Sequence, residues 1–351
     1  MTQIRKIIAD IGNTNWKLKA GDIEIAIPNA LTEITEAHYR QALKMSGSTL
    51  PDDYAIINDK FYATGAMAER YGTSITQTGA AKYHKDYYGI ALASMLGRAI
   101  KTSCKVCVYL AYPPGNINHI DTLLDSLDNY YEIHVEDRVI SVEVLYSYLF
   151  LEPVGGVMNV LLTDEGKLRK NLELNRGSIL AIDFGGGTTD FSGVFADGSL
   201  NTAVQYSLPM GINTVYDGLR SELERSYSDS LIGANGLSPA RLRDVLTTGH
   251  LRLKGHDYDC AELRQQELNK FLNRFKDGFR RHAHSGANDD FIVLTGGGYV
   301  DIFEDVLAIL GFDPDSVMVA EDAPFAHLAN VRGGAKHLTM LEKGGVISYD
   351  E

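Results

Sequence analysis

The sequence predicts an α/β protein of two lobes with related construction, each built around a mixed sheet. A strand, polar turn and strand meander opens the chain and returns 173 residues later, about half the chain on, with Asp183 in the place of Asp10. Behind each copy, helices with a 3.6-residue apolar period alternate with short β-rich runs. The length of 351 residues also exceeds the usual domain size of about 150. A duplicated α/β architecture accounts for all three observations.

In the first copy the strand Ile4 to Ile11 meets Gly12-Asn13-Thr14-Asn15 and continues as Trp16 to Lys19. Ala20-Gly21-Asp22 supplies hairpin chemistry before Ile23 to Ile27. The second copy runs Ile179 to Phe184, then Gly185-Gly186-Gly187-Thr188-Thr189, then Phe191 to Phe195, the turn Ala196-Asp197-Gly198 and a further strand. Apolar spacing predicts a helix through Tyr88, Leu92, Met95, Leu96 and Ala99, and a second through Ile120, Leu123, Leu124 and Leu127. A long third helix runs from Leu263 to Phe279. Ser238-Pro239 forms an N-cap and first-turn pair for a helix to Leu246. The strand Phe291 to Thr295 leads through Gly296-Gly297-Gly298 to a helix from about Asp301 to Leu310. No flexible linker interrupts the chain, so the lobes are expected to share a packed hinge.

Composition narrows the function classes. Apolar residues are 44%, charged residues 23% and mean hydropathy is -0.13, which excludes disordered and fibrous chains. The longest apolar runs, such as Val157 to Leu162, fall far short of the ~20 residues of a spanning helix. Asp10 interrupts the apolar start before a secretory h-region can form, so the expected location is the cytoplasm. A net charge of -13 argues against direct nucleic-acid binding. The densest basic run, Arg274 to Arg281, is broken by Asp277 and reads as a solvated helix face. Cys104 and Cys107 form a C-x-x-C inside a strand-like run, where positions three apart face opposite ways, so they read as structural cysteines.

The candidate chemistry lies in the turns. Asp10 ends a strand, and Gly12, Asn13, Thr14 and Asn15 form a turn whose amides and small polar side chains can wrap an anion, followed by Lys17 as a point charge for phosphate. Asp10 can hold Mg²⁺ through water. Asp183 with Gly185, Gly186, Gly187, Thr188 and Thr189 repeats the formula, its glycines allowing close amide approach at positive φ. Two matched turns half a chain apart suggest hairpins that grip a phosphate chain from opposite sides. Gly296, Gly297 and Gly298 follow an apolar strand, where an open α/β sheet binds ligands and bare backbone can underlie a flat nucleoside. Glu152-Pro153 precedes the small-residue run Val154-Gly155-Gly156-Val157, which suits a hinge helix, and its carboxylate can orient water.

With Ala329-Asn330-Val331-Arg332-Gly333-Gly334, these segments resemble, in order, the phosphate 1, connect 1, phosphate 2, adenosine and connect 2 motifs of the actin, Hsp70 and sugar kinase ATPases. Gly12 to Leu18 and Ala329 to Gly334 are similar to the first and last motifs of ParM-like plasmid-segregating actins. Lys60 to Ala68 resembles the small-subdomain signature of bacterial and archaeal actin-like proteins. The resemblance implies a two-lobed actin-like (ribonuclease H-like duplicated) fold with a nucleotide cleft between lobes. Domain I would comprise residues 1–150 and 327–351 with a small subdomain near 28–75, and domain II residues 151–326 with a subdomain near 212–290.

It further implies an ATPase, with GTP open as an alternative, that polymerises with nucleotide bound and disassembles after hydrolysis. Asp10 and Asp183 would organise Mg²⁺ and the attacking water, Glu152 would polarise that water, and Lys17 would contact phosphate. The two turns would hold the β- and γ-phosphates, with Gly296 to Gly298 under the adenosine. Partners would be further copies of the chain and a DNA-binding adaptor, for plasmid segregation or another cytoskeletal role. Asn13 departs from the family's usual Ser or Thr, and Asp10 to Asn15 equally resembles the first loop of type III pantothenate kinases. A pantothenate- or sugar-type kinase is therefore the alternative. A chaperone of Hsp70 type would need a peptide-binding domain beyond Glu351.

Overall fold

The structure is a computed structural model that describes residues 4–45, 53–71, 75–135, 138–169, 177–195, 198–227, 237–282, 289–311 and 313–349. The chain divides into two compact units, Met1–Glu173 with Leu328–Glu351, and Leu174–His327. The region from 151 to 173, expected in the second domain, clusters with the first unit.

The first unit opens with β1 (Arg5–Ile11), β2 (Asn15–Ala20), β3 (Ile23–Pro28) and β4 (Leu31–Ile34), then α1 (Glu36–Met45), β5 (Tyr54–Ile57), β6 (Lys60–Thr64) and α2 (Ala66–Arg70). It continues with α3 (Ile90–Ala99), β7 (Cys104–Tyr112), α4 (Ile120–Asp125), β8 (Tyr130–Val135), β9 (Arg138–Leu151) and α5 (Glu152–Leu161). Nine strands form one mixed sheet in the order β3-β2-β1-β7-β9-β8-β5-β6-β4. β1 runs antiparallel to β2 and parallel to β7. Both faces at its centre are covered. Ile7, Ala9 and Ile11 pack with α3, while Ile8 joins Tyr109, Phe150 and Val331 on the other face. That double burial is why Ile7 to Ile11 is apolar but for Asp10.

The second unit contains β10 (Ser178–Phe184), β11 (Thr189–Phe195), β12 (Leu200–Leu208), α6 (Ile212–Ser226), α7 (Pro239–Thr248), β13 (His250–Leu253), β14 (His256–Asp259), α8 (Ala261–His282), β15 (Phe291–Thr295), α9 (Phe303–Leu310) and β16 (Val317–Val319). Its sheet has the order β12-β11-β10-β15-β16, and β10 is antiparallel to β11 and parallel to β15. The run β12-β11-β10-β15 thus repeats β3-β2-β1-β7. A separate hairpin pairs β13 with β14. Of the expected turn 196–198, residues 196 and 197 lie outside the described residues. Arg274, Arg280 and Arg281 are exposed on α8, the solvated face expected of them.

The chain then returns to the first unit as α10 (Ala329–Lys343). Ala329 to Gly334, noted in the sequence as a short motif, is the start of this helix, and its glycines serve packing. A methyl group on Gly333 would lie 1.7 Å from the carbonyl oxygen of Gly155 in α5, and one on Gly155 would lie 2.6 Å from that of Asn330. The helices therefore touch main chain to main chain. Gly334 gives the same close approach to Phe150 and Ile8. Arg332 forks onto Glu24 of β3, with Nε and Nη2 at 3.0 and 2.7 Å from the two carboxylate oxygens, and holds that carboxyl below the usual range.

The two cysteines of C-x-x-C part company as expected. Cys104 packs toward the α3 side of the sheet, whereas Cys107 is buried where Tyr349 meets it, and burial raises both thiols. Under α10, the Tyr109 hydroxyl lies 2.9 Å from His337 Nδ1, and burial pushes that imidazole down to about 4. No helix among the described residues is long and apolar enough to cross a membrane.

The helix contact predicts that Gly333→Ala and Gly155→Ala each destabilise by at least the about 1–3 kcal/mol of overpacking. Urea unfolding measures this, and an unchanged midpoint for Gly333→Ala would refute the contact. His337 is neutral when folded but takes a proton below about pH 6.5 when unfolded. Stability is therefore lost as pH falls from 6.5 toward 4, by up to about 3 kcal/mol more in the parent than in His337→Gln. Urea midpoints at several pH values in that window compare the two proteins, and parallel curves would show that His337 does not contribute.

Candidate functional site

The penultimate residue of β1 and of β10 is an aspartate, and each strand then turns back at once. In the first turn Gly12 N–H donates to the Asn15 carbonyl at 3.1 Å, and in the second Gly185 N–H donates to the Thr188 carbonyl at 2.9 Å. Register is repeated as well, with Asp10 opposite Lys17 and Asp183 opposite Asp190. The residue seven positions after each aspartate therefore shares its face of the sheet.

The carbonyls of both turns are drawn into the protein. Ile11 C=O accepts from Lys82 Nζ at 2.6 Å, Asn13 C=O from Asn29 Nδ2 at 2.9 Å, and Thr14 C=O from Asn29 N–H at 2.8 Å. In the second turn Phe184 C=O accepts from Gly298 N–H at 2.8 Å. Gly185 and Gly186 accept from the first amides of α6, Ile212 and Asn213, at 3.1 and 3.0 Å. A peptide group whose carbonyl points inward presents its amide hydrogen outward. The amides of Gly186 and Gly187 find no acceptor among the described residues. None of the three glycines takes the positive φ expected of them. Crowding sets the local limits instead, since a methyl on Gly185 would lie 3.1 Å from the Thr188 carbonyl oxygen.

The aspartates are equipped differently. Asp10 is 1% exposed, and Lys17 Nζ sits 2.7 Å from its Oδ2, so the cation expected to meet phosphate also neutralises this carboxylate. Asp10 Oδ1 accepts no hydrogen bond, and a side chain at Gly12 would come within 3.3 Å of it. Glycine avoids that crowding. A buried carboxylate oxygen without a hydrogen-bond partner is suited to accept from a water or from the hydration shell of Mg²⁺. Opposite the buried Asp183, Asp190 takes hydrogen bonds from the hydroxyls of Thr188, at 2.7 Å, and Ser207. Thr189 is buried and donates its hydroxyl to Met210 C=O at 2.9 Å. No group of three or more metal-ligating side chains occurs among the described residues, so a metal here would depend on water.

Glu152 is the first residue of α5, half-buried at the positive end of the helix dipole. The strand before it, β9, runs unbroken to Leu151. The Tyr88 hydroxyl is buried with no hydrogen-bond partner and is held protonated by burial first, with the charges of Tyr83, Asp10 and Glu152 adding to it. After β15, Gly296 has φ +83°, and a methyl there would lie 2.2 Å from Asp183 Oδ1. One on Gly298 would lie 2.7 Å from Phe184 C=O, while at Gly297 the nearest atom is 3.4 Å away. Gly296 and Gly298 therefore support the second hairpin, and Gly297 has room beside it.

Asp10, Gly12, Asn13, Thr14, Asn15, Lys17 and Glu152 thus lie in the first unit, and Asp183, Gly185 to Thr189 and Gly296 to Gly298 in the second. Sequence reasoning missed Asn29 and Lys82, which hold the first turn from 15 to 71 positions away and carry no local motif. Asp190 directly follows the second turn in the sequence.

Paired strands with an aspartate at the turn, duplicated in this order, define an actin-like fold, and comparison with solved structures shows it. The archaeal actin homolog Ta0583 superposes with a TM-score of 0.75 over 95% of this chain and 99% of its own, at 16% identity. ParM from a 15-stranded filament of Clostridium botulinum gives 0.71 over 98% and 100%, at 16% identity. ParM of Bacillus thuringiensis, solved with ADP, gives 0.67 over 97% and 99%, at 14% identity. No protein-family profile and no curated protein matches the sequence.

The glycine geometry predicts that Gly297→Ala stays within about 0.5 kcal/mol of the parent, as an uncrowded substitution does, while Gly296→Ala costs 1–3 kcal/mol or more. Thermal melting distinguishes them, and equal effects would show that Gly296 does not meet Asp183 as described.

Proposed function

We propose that this chain is an ATPase of actin-like type that binds ATP with Mg²⁺ at the two Asp-headed hairpins and assembles with copies of itself into dynamic filaments. The observation that carries the reading is that both turns draw their carbonyls inward beside a buried aspartate, which turns the main-chain amides of the same peptide groups outward. The ADP held by the B. thuringiensis ParM and the filament formed by the C. botulinum protein support it, since both share this fold. DNA segregation through an adaptor protein is the cellular role that follows from the likeness to ParM.

In this reading the turns Gly12 to Asn15 and Gly185 to Thr189 receive phosphate oxygens, Lys17 adds a point charge, and Gly297 with its neighbours lies under the base. Bound Mg²⁺ would neutralise charge developing on the transferred phosphate oxygens. Asp10 and Asp183 would hold its water ligands. Glu152, set at a helix start, would accept a hydrogen bond from the attacking water and orient it.

Sedimentation with ATP and Mg²⁺, followed by electron microscopy of the pellet, tests assembly. Glu152→Ala is expected to lower phosphate release by about 10²- to 10⁴-fold while nucleotide still binds. Filaments of that variant should then outlast those of the parent in a light-scattering time course. Normal phosphate release from Glu152→Ala removes Glu152 from the mechanism. Nucleotide binding with no ATP-dependent assembly in the parent turns the reading toward a small-molecule kinase.

A further inference from the structure

Asn29 lies between β3 and β4, 6% exposed, and each of its donor and acceptor groups is engaged. Its Nδ2 donates to Asn13 C=O at 2.9 Å and to Gln77 C=O at 3.1 Å. Its Oδ1 accepts from Trp16 Nε1 at 2.9 Å and from the Tyr87 hydroxyl. Its N–H donates to Thr14 C=O at 2.8 Å, and its own C=O accepts from Thr76 Oγ1 at 3.1 Å. The orientation of the amide is unambiguous, because an indole N–H can only donate and a peptide carbonyl can only accept. Only a side chain with two donors and two acceptor lone pairs on one planar group satisfies this set. Aspartate would set a carboxylate against two carbonyl oxygens.

Two of these bonds grip consecutive peptide groups of the first turn. The others tie that grip to Trp16 on the returning strand and to the segment 75–87, where Asn13 Oδ1 in turn accepts from Gly79 N–H at 3.1 Å and Lys82 takes Ile11 C=O. If the Asn13 carbonyl were released, its peptide could rotate and present an oxygen where an amide now faces outward. Resting on the nucleotide reading above, we propose that Asn29 is the positioning residue of the first turn, fixing the direction of the Asn13 and Thr14 peptide groups and thereby the turn's affinity for phosphate. The same network contains a built-in reporter, since Trp16 is the only tryptophan of the chain.

The experiment uses the full chain labelled with ¹⁵N, with MgADP as the probe. Calorimetry gives the dissociation constant, and the single indole N–H signal of Trp16 is followed in the same titration. The indole signal is expected to shift with occupancy. Asn29→Asp, measured well below its melting temperature, should bind MgADP at least about tenfold more weakly. Trp16→Phe removes another bond of the network without touching the turn carbonyls. It should melt lower yet keep its dissociation constant within about twofold. If both variants melt lower and neither changes affinity, Asn29 is structural only and the proposal is overturned. Should Asn29→Asp fail to fold, the parent decides alone, since MgADP binding with an unmoved indole signal also overturns it. Absence of any MgADP binding to the parent refutes the nucleotide reading itself, a result distinct from both.

Discussion

Contact between the backbones of α5 and α10 at Gly155 and Gly333 sets the frame of the first unit. Because no side chain separates the helices there, their spacing is fixed by peptide groups, which cannot adjust by changing rotamer. From that point α10 reaches β1 and Phe150 through Gly334, β3 through the Arg332–Glu24 fork, and α5 again through Lys336 Nζ on Asn159 C=O at 3.1 Å. Glu152 begins α5, and Asp10 ends the strand against which α10 packs. The separation of these carboxylates is thus an outcome of helix packing more than of loop conformation.

Much of this fold could be read from the chain because its central strands are buried on both faces. The segments Ile7–Ala9, Ile179–Ile182 and Phe291–Leu294 are continuous apolar stretches, and the first two are each closed by an aspartate just before a turn. The helix Pro239–Thr248 was legible through Ser238, whose hydroxyl accepts from Arg241 N–H. Other elements hid for physical reasons. β4, β5 and β6 have four or five residues each, too few to establish a period. α1 buries only Tyr39 and so has almost no apolar stripe. In α10 the pair Gly333-Gly334 looks like a loop by propensity, and the close helix contact overrides that propensity.

The candidate site divides in the same way. The aspartate and its turn are contiguous in sequence, so both copies could be recognised and aligned. The groups that hold the first turn in shape come from Asn29 and Lys82, linked to it only by the fold. The second turn is held by the start of α6 and by Gly298, main-chain donors with no side-chain signature. The duplication also conceals an electrical difference. Its first copy places an ammonium across from the aspartate and its second places another carboxylate, so two hairpins of one shape carry different charge.

The inward anchoring of the turn carbonyls bears on how such a protein can change over time. Amides supplied by the main chain are common to every residue but proline, so the outward surface of each turn can persist while most of the side chains around it are exchanged. What must persist is the set of interior anchors, and these can be a side-chain amide, a lysine or the end of a helix, as the two halves of this chain illustrate. One shape can therefore be written in very different sequences, and this chain shares its fold with proteins at 14–16% identity that superpose over nearly its whole length.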